Sequence, residues 1–337
     1  MLRPRFRVLS IGIVFFSASL AIAQTASTGP VLSLSKGSGQ AYPIKPIRIV
    51  TAEAGGGNDF AARAIVRGIA DSMGQQLIVD NRGGAGGIIA AEIVARAAPD
   101  GYTLLVYASN IWIIPLLKKT VPYDMARDFA PITWAARSPS TLVVHPSLPV
   151  KSVKDLIAIA KAKPGQLNYG SGGSGATTHV AAELFKSMAK VNIVRVTYRG
   201  NAPALNDLIA GQIQVMFATA GTVAPHIGSG RLRALAVTSA QPTALSPGLP
   251  TVASAGLPGY ESLSIYGVFA PSKTSTAIIQ QLNREMVRVL HRPDVKELFF
   301  NAGVETVGSS PEAFAAAIKS DVARMTKVIN EAGIRED

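Results

Sequence analysis

Short apolar, β-branched runs alternate with stretches of helical periodicity from residue 47 to residue 270, and this alternation restricts the fold more than any other feature. Residues 47–50, 77–79 and 102–107 read as strands, with helices across 60–73 and 88–98 between them. The pattern repeats with strands at 142–144, 167–169, 193–198, 215–218 and 235–238 and helices at 153–161, 177–189 and 204–209. Parallel strands need a long crossover, usually a helix, so such alternation predicts βαβ units in mostly parallel sheets flanked by helices. A strand at 264–270 and helices at 277–290, 293–301 and 311–332 close the chain. The last helix keeps Phe314, Ile318, Val322, Met325 and Ile329 on one face, so it packs on a core.

Two places interrupt the alternation. One lies near Ser138-Pro139, and the other is the stretch 241–259, dense in Pro, Gly and Ser. If the C-terminal helices return to the first sheet, the chain crosses twice between two lobes and leaves a cleft. The length of 337 residues accommodates two such bodies.

The N-terminus carries Arg3, Arg5 and Arg7 without an acid, then an almost wholly apolar run over 8–23 that ends Ala21-Ile22-Ala23. That run is shorter than the roughly 20 residues that span a bilayer. It reads as a secretory signal peptide cut between Ala23 and Gln24, followed by a flexible Ser/Gly/Thr-rich leader over 24–41. Cleavage removes three Arg and no acid, so the net charge of +12 falls by three to +9. The remaining cations are scattered (Arg48, Arg63, Arg195 and Arg231 among them), without the basic and aromatic clustering of a nucleic-acid surface. The chain has no cysteine, which excludes disulfides, thiolate metal sites and a lipid-modified N-terminal Cys.

Two glycine-rich strand-to-helix turns carry the chemistry. The first, Ala54-Gly55-Gly56-Gly57-Asn58-Asp59, exposes backbone N–H groups at a helix start, where roughly half a positive charge favours an anion. Asn58 or Asp59 is expected to cap that helix. The second, from Tyr169 to His179, mixes Gly170, Gly172, Gly173 and Gly175 with Ser171, Ser174, Thr177 and Thr178. It gathers amide and hydroxyl donors without fixed charge, which suits a carboxylate. Gly170, Gly172 and Gly175 also satisfy G-x-G-x-x-G, and Arg195 or Arg199 could take a ribose 2′-phosphate, so an exported α/β enzyme of NADP type or a hydrolase is the alternative. The hydrolase elbow G-x-S-x-G fails at Ala176, and the four histidines are too scattered to bind a metal. His179 either lines a pocket or packs and hydrogen-bonds within the fold.

The motifs Tyr42-Pro43-x-Lys45-Pro46-Ile47-Arg48, Asn81-Arg82-x-Gly84-Ala85-Gly86-Gly87, Ala98-Pro99-Asp100-Gly101-Tyr102, Asp128-Phe129-Ala130-Pro131, Leu232-Arg233-Ala234-Leu235-Ala236-Val237-Thr238 and Gly256-Leu257-Pro258-Gly259-Tyr260 follow in order. With these the chain resembles the Bug family of extracytoplasmic receptors of tripartite tricarboxylate transporters over residues 42–335. The resemblance implies an α/β, two-lobed type II periplasmic binding fold, a Venus flytrap. Lobe 1 would comprise 42–140 with 250–337 and lobe 2 residues 141–249. It implies a soluble, monomeric, non-catalytic periplasmic protein without cofactor or metal. Its ligand would be a small carboxylate, amino acid or amide, and its partner an inner-membrane permease or a sensor protein. The residues carried over as ligand-binding are Glu53, Gly55, Gly56, Gly57, Asn58, Asp59, Ser109 and Asn110 from lobe 1. Ser171, Gly173, Ser174, Gly175, Thr177, His179, Tyr198, Asn201, Ala218 and Thr219 come from lobe 2. The chain departs from the family where Phe-Pro-Pro-Gly-Gly becomes Ala52-Glu53-Ala54-Gly55-Gly56, and where Ala218 stands for a common aspartate. Glu53 facing the cleft would repel a plain polycarboxylate and favour a ligand with an amine, amide or ring N–H; facing outward it would be a solvated turn residue.

Overall fold

One long strand joins the two halves of the molecule. The computed structural model describes residues 42–173 and 175–332, so the expected leader segments and Ser174 lie outside the described residues. The first half runs β1 (Ile47–Thr51), α1 (Gly57–Met73), β2 (Leu77–Asn81), α2 (Ile88–Ala95), β3 (Thr103–Ala108), α3 (Asn110–Leu117) and α4 (Met125–Asp128). The long strand β4 (Phe129–Val144) follows, then α5 (Val153–Ala162), β5 (Asn168–Ser171), α6 (Thr177–Ala189), β6 (Val194–Thr197), α7 (Asn201–Ile209), β7 (Val215–Thr219), α8 (Ala220–Gly228) and β8 (Arg233–Val237). The chain ends with β9 (Leu263–Pro271), α9 (Thr276–Leu290), α10 (Pro293–Asn301), β10 (Glu305–Thr306) and α11 (Pro311–Ala332).

Each lobe is built on a parallel trio from the βαβ alternation, β2-β1-β3 in one and β6-β5-β7 in the other. The linking strands then add antiparallel partners: β9 lies between β3 and β4, while β7 and β8 both pair with β4. The sheets are therefore mixed, which the expectation of mostly parallel sheets does not capture. β9 runs back toward the first lobe and so opposes both β3 and β4, while β4 enters the second lobe against the direction of β7.

β4 pairs with β9 up to Pro139, opposite Leu263, and takes up β7 from Ser140, opposite Thr219. Pro139 lacks an N–H, so a proline is tolerated where the strand changes partners. Ser140 N–H donates to Thr238 Oγ1 (2.7 Å), Thr238 N–H donates back to Ser140 O (2.8 Å), and Ser262 N–H donates to Thr238 O (2.9 Å). The outgoing and returning chains are thus laced together by three hydrogen bonds among buried residues. Residues 251–260 pack on the second lobe: the Tyr260 ring lies 6.4 Å from Phe185 and 6.5 Å from Phe217, and its hydroxyl donates to Ala181 O (2.8 Å). The expected boundary at 249/250 assigns this stretch to the first lobe instead.

The core beneath the first lobe centres on Trp112 of α3, whose ring meets Phe269 and Phe314 edge-on. Its buried indole N–H donates to Asp321 Oδ2 (2.8 Å) on α11, and Asp321 in turn accepts from Arg324 (2.5 Å). This satisfies a polar group that burial would otherwise leave costly. The expected stripe on α11 buries Phe314, Met325 and Ile329. α3 itself has no polar face, since Ile111, Trp112, Ile113, Ile114 and Leu117 are all buried, and so it shows no helical period in the sequence.

Candidate functional site

A cleft of about 620 Å³ opens between the lobes, lined from the first by the 53–58 turn, Asn110, Ser264 and Tyr266, and from the second by Gly172, Gly173, Thr177, Asn201 and Thr219. Both glycine turns border it, each by a different construction.

In the first turn Gly55 has φ +82°, the left-handed region that costs glycine least. The N-cap of α1 is Gly56, without a side-chain cap, so the capping expected of Asn58 or Asp59 is not made. Both lie inside the first helical turn, and Asp59 reaches backward: its Oδ2 accepts from Gly55 N–H at 2.9 Å. Its Oδ1 accepts from Arg63 (2.9 Å) and Asn81 (2.8 Å), and Asn81 also donates to Ala52 O (2.7 Å). Burial pushes the Asp59 carboxyl up, but Arg63, Gly55 N–H and Asn81 outweigh that and hold it below the usual carboxylate range. Gly57 is required on other grounds, since a Cβ there would stand 2.6 Å from Tyr266 Oη.

Glu53 lines the cleft and is seated rather than loose. Its Oε1 accepts from Gly84 N–H at 2.8 Å, and its side-chain carbons occupy the space a Cβ on Gly83 would need, 2.3 Å away. Burial, and then the Glu53 charge, push the Tyr107 hydroxyl well above its ordinary value. Asn110 donates its amide to Gly86 O, fixing the same loop. Asn58 Oδ1 is buried with no hydrogen-bond partner among the described residues.

The second turn uses a neutral acceptor. Gly175, φ +74°, donates its N–H to His179 Nδ1 at 3.2 Å, so His179 packs and hydrogen-bonds beneath the turn. Burial lowers the imidazole pKa to about 4, with Arg195 repelling its proton as well. Arg195 on β6 donates to Ser171 Oγ (2.9 Å) and Gly172 O (3.1 Å), so it props the turn from behind. Gly172 N–H donates to Thr178 Oγ1 (3.2 Å), and Thr178 donates to Asn201 (3.3 Å), which ties α6 to α7. A Cβ on Gly173 would meet nothing within 4 Å.

Of the expected residues, Glu53, Gly55, Gly56, Gly57, Asn58, Asn110, Gly173, Thr177, Asn201 and Thr219 line the cleft. Asp59, Ser109, Ser171, His179 and Ala218 are buried behind it, and Gly175 packs near Ile114. The Tyr198 hydroxyl donates to Asp207 (2.7 Å) rather than facing the cleft, and burial with that carboxylate pushes its pKa up to about 12. Four polar linings escape a reading of the turns alone: Ser140, Thr222, Ser264 and Tyr266. Ser264 and Tyr266 stand two apart in the apolar run of β9, so they share a face of the sheet, and this polar alternation is the signal that marks them. Ser264 also donates to Thr177 Oγ1 at 2.7 Å, joining β9 to the start of α6.

Helix starts converge on this cleft. α1, α3, α6, α7 and α8 all begin at or beside lining residues, and none has a side-chain cap. Away from the cleft α4, α5 and α9 are capped by Asp124, Ser152 and Ser275, while α2 and α10 start without a side-chain cap. An uncapped start leaves its first amides to water or a ligand. No Lys, Arg or His is among the described lining residues, so any anion here is held by amides, hydroxyls and helix dipoles.

Comparison with known proteins agrees with this arrangement. Residues 61–334 match the family described as the tripartite tricarboxylate transporter family receptor, TctC. The protein BugT of Bordetella pertussis is 34% identical over 96% of this chain and 97% of its own length. Among solved structures, R. palustris Rpa4515 with adipate superposes with a TM-score of 0.79 at 38% identity, covering 87% of this chain and 99% of that one. MatC from Rhodopseudomonas palustris with bound malate gives 0.75 at 28% identity, covering 86% and 100%. With the ordered motifs, the two-lobed fold and a match across most of its length, the chain belongs to the tripartite tricarboxylate transporter receptor family that includes the Bug proteins.

Proposed function

We propose that this protein is a periplasmic receptor that captures a small carboxylate between its lobes and delivers it to inner-membrane permease subunits or a sensor protein. The observation that carries the reading is the convergence of uncapped helix starts on a cleft without cationic side chains. Structures of relatives hold adipate and malate, both small carboxylates. Closure follows if one ligand touches both lobes, because a ligand shifts a conformational equilibrium only by its differential affinity. The hinge then lies at Pro139-Ser140 and Thr238-Ser262, where three hydrogen bonds hold the crossing chains.

The receptor acts without catalysis. Among the described lining residues no serine or threonine hydroxyl is hydrogen-bonded to a carboxylate or imidazole, and the lining carboxylate, Glu53, is engaged by Gly84 N–H instead. The dinucleotide alternative asks Arg195 to hold a ribose phosphate, and Arg195 already supports Ser171 and Gly172. Export as a cleaved monomer is part of the same proposal.

Thermal melting of the exported protein against a panel of small mono-, di- and tricarboxylates tests it. A ligand at 100 times its dissociation constant adds about 2.7 kcal/mol to stability. A panel in which no carboxylate raises the midpoint sinks the receptor reading, and turnover of any panel compound sinks the non-catalytic one.

A further inference from the structure

The two walls of the cleft differ in charge. On the second lobe, α6, α7 and α8 start at the cleft with no acid in the first turn and no side-chain cap. Their positive ends are uncompensated. On the first lobe α3 also starts at the cleft without an acid or a side-chain cap, but α1 has Asp59 in its first turn, already hydrogen-bonded to the Gly55 amide, so that helix start holds an anion of its own. Glu53 adds a second carboxylate on the same wall. Gly84 N–H engages one of its oxygens, no donor among the described residues reaches the other, and Asn58 Oδ1 nearby in the turn lacks a donor too. No cationic side chain among the described lining residues offsets Glu53.

We infer that the ligand is bipolar, a carboxylate that also carries an ammonium or amide N–H group. Its carboxylate sits on the second lobe at the starts of α6, α7 and α8, and its N–H group sits on the first lobe against Glu53. The inference rests on the receptor reading and sharpens its ligand class. Glu53 selects by attraction and by repulsion together: a second carboxylate placed on the first wall meets a seated anion, whereas an ammonium there gains a charge-assisted hydrogen bond. The mount is specific, since Gly83 leaves room for the Glu53 side-chain carbons and Gly84 fixes its head.

Calorimetric titration with matched probes tests this: malate against aspartate, which differ only in hydroxyl for ammonium, and adipate against 6-aminohexanoate. The native protein is expected to bind the amino member of a pair at least tenfold tighter. Glu53→Gln keeps an acceptor for Gly84 N–H, so the ligand-free midpoint stays within a degree or so while the preference collapses by about tenfold or reverses. Malate and adipate binding the native protein as tightly as aspartate and 6-aminohexanoate overturns the inference and leaves the receptor reading standing. An amino preference that survives Glu53→Gln overturns the role of Glu53. Silence from both pairs in both proteins overturns the inference together with the receptor reading it rests on.

Discussion

The two glycine turns look alike in sequence and are opposites in how they are held. Both follow a strand, start a helix and border the cleft. In the first, the backward-reaching acceptor is a carboxylate: Asp59 takes Gly55 N–H at four residues' distance. In the second the acceptor at the same spacing is an imidazole, His179 taking Gly175 N–H. One turn is therefore locked by a charge it has already captured, with Arg63 to balance it. The other is locked by a neutral group and leaves its helix start free for a charge from outside. A glycine turn at a helix start is thus not an anion site by composition alone; the residue that occupies its amides decides.

Acid separates the two most sharply. His179 is neutral in the fold with a pKa of about 4, against 6.5 in the unfolded chain. The unfolded chain takes up a proton that the fold refuses between those values, so stability falls as pH drops from 6.5 to 4 and levels off below. The loss is about 3 kcal/mol for this buried group. Asp59 has the same sign in a lower window: its carboxyl is held below the usual carboxylate range, so its contribution is complete above pH 3.8 and is lost only as pH falls further. Midpoints recorded from pH 7 to pH 3 for the native protein and for His179→Gln should diverge between 6.5 and 4. Parallel curves across that window would remove His179 as the cause.

Binding is the next largest contrast. Gly173→Val fills open space at the mouth of the second turn without meeting the fold, so the melting midpoint holds while affinity for the carboxylate that binds falls about a hundredfold, roughly 2.7 kcal/mol. Titration calorimetry reads the loss; retained affinity means the second turn does not contact the ligand. Asp59→Asn tests the other turn through stability, since it removes the charge paired with Arg63 and weakens three hydrogen bonds at a buried position. A cost of about 2 kcal/mol in urea unfolding is expected, and a cost near zero means that the carboxylate is not what holds the turn.

What the sequence discloses about this site follows from which atoms it leaves out. A glycine run shows directly, because a missing Cβ is a change in composition, and so both turns and the strands before them are legible. The partners of those turns are only half legible. Asp59 and His179 stand four residues beyond the glycines they bind, but their spacing suits a cap or a pocket equally well until the backbone is placed. Ser140 arrives on a strand from a distant part of the chain, and nothing near it in sequence announces the cleft; Ser264 shows only as a polar residue alternating with Tyr266 in β9. Pro139 reads as an interruption because proline ends most strands; here the strand continues, since its missing N–H falls where β4 changes partners. α3 carries no period because a helix buried on all sides has no polar face to alternate with.

The smallest contrast lies in the backbone itself. Gly55 and Gly175 both sit in the left-handed region, at φ +82° and +74°. An alanine at either position costs about 1 kcal/mol in conformation. The surroundings then separate them. A Cβ on Gly55 meets nothing within 4 Å, whereas one on Gly175 comes within 3.0 Å of Ile114 in α3, a buried side chain with little room to yield. Gly55→Ala should therefore show the conformational cost alone in urea unfolding, and Gly175→Ala that cost plus a packing penalty on α3. Equal losses would mean that Ile114 accommodates the methyl group, and that the second turn is held by His179 and Arg195 without support from the first lobe's core.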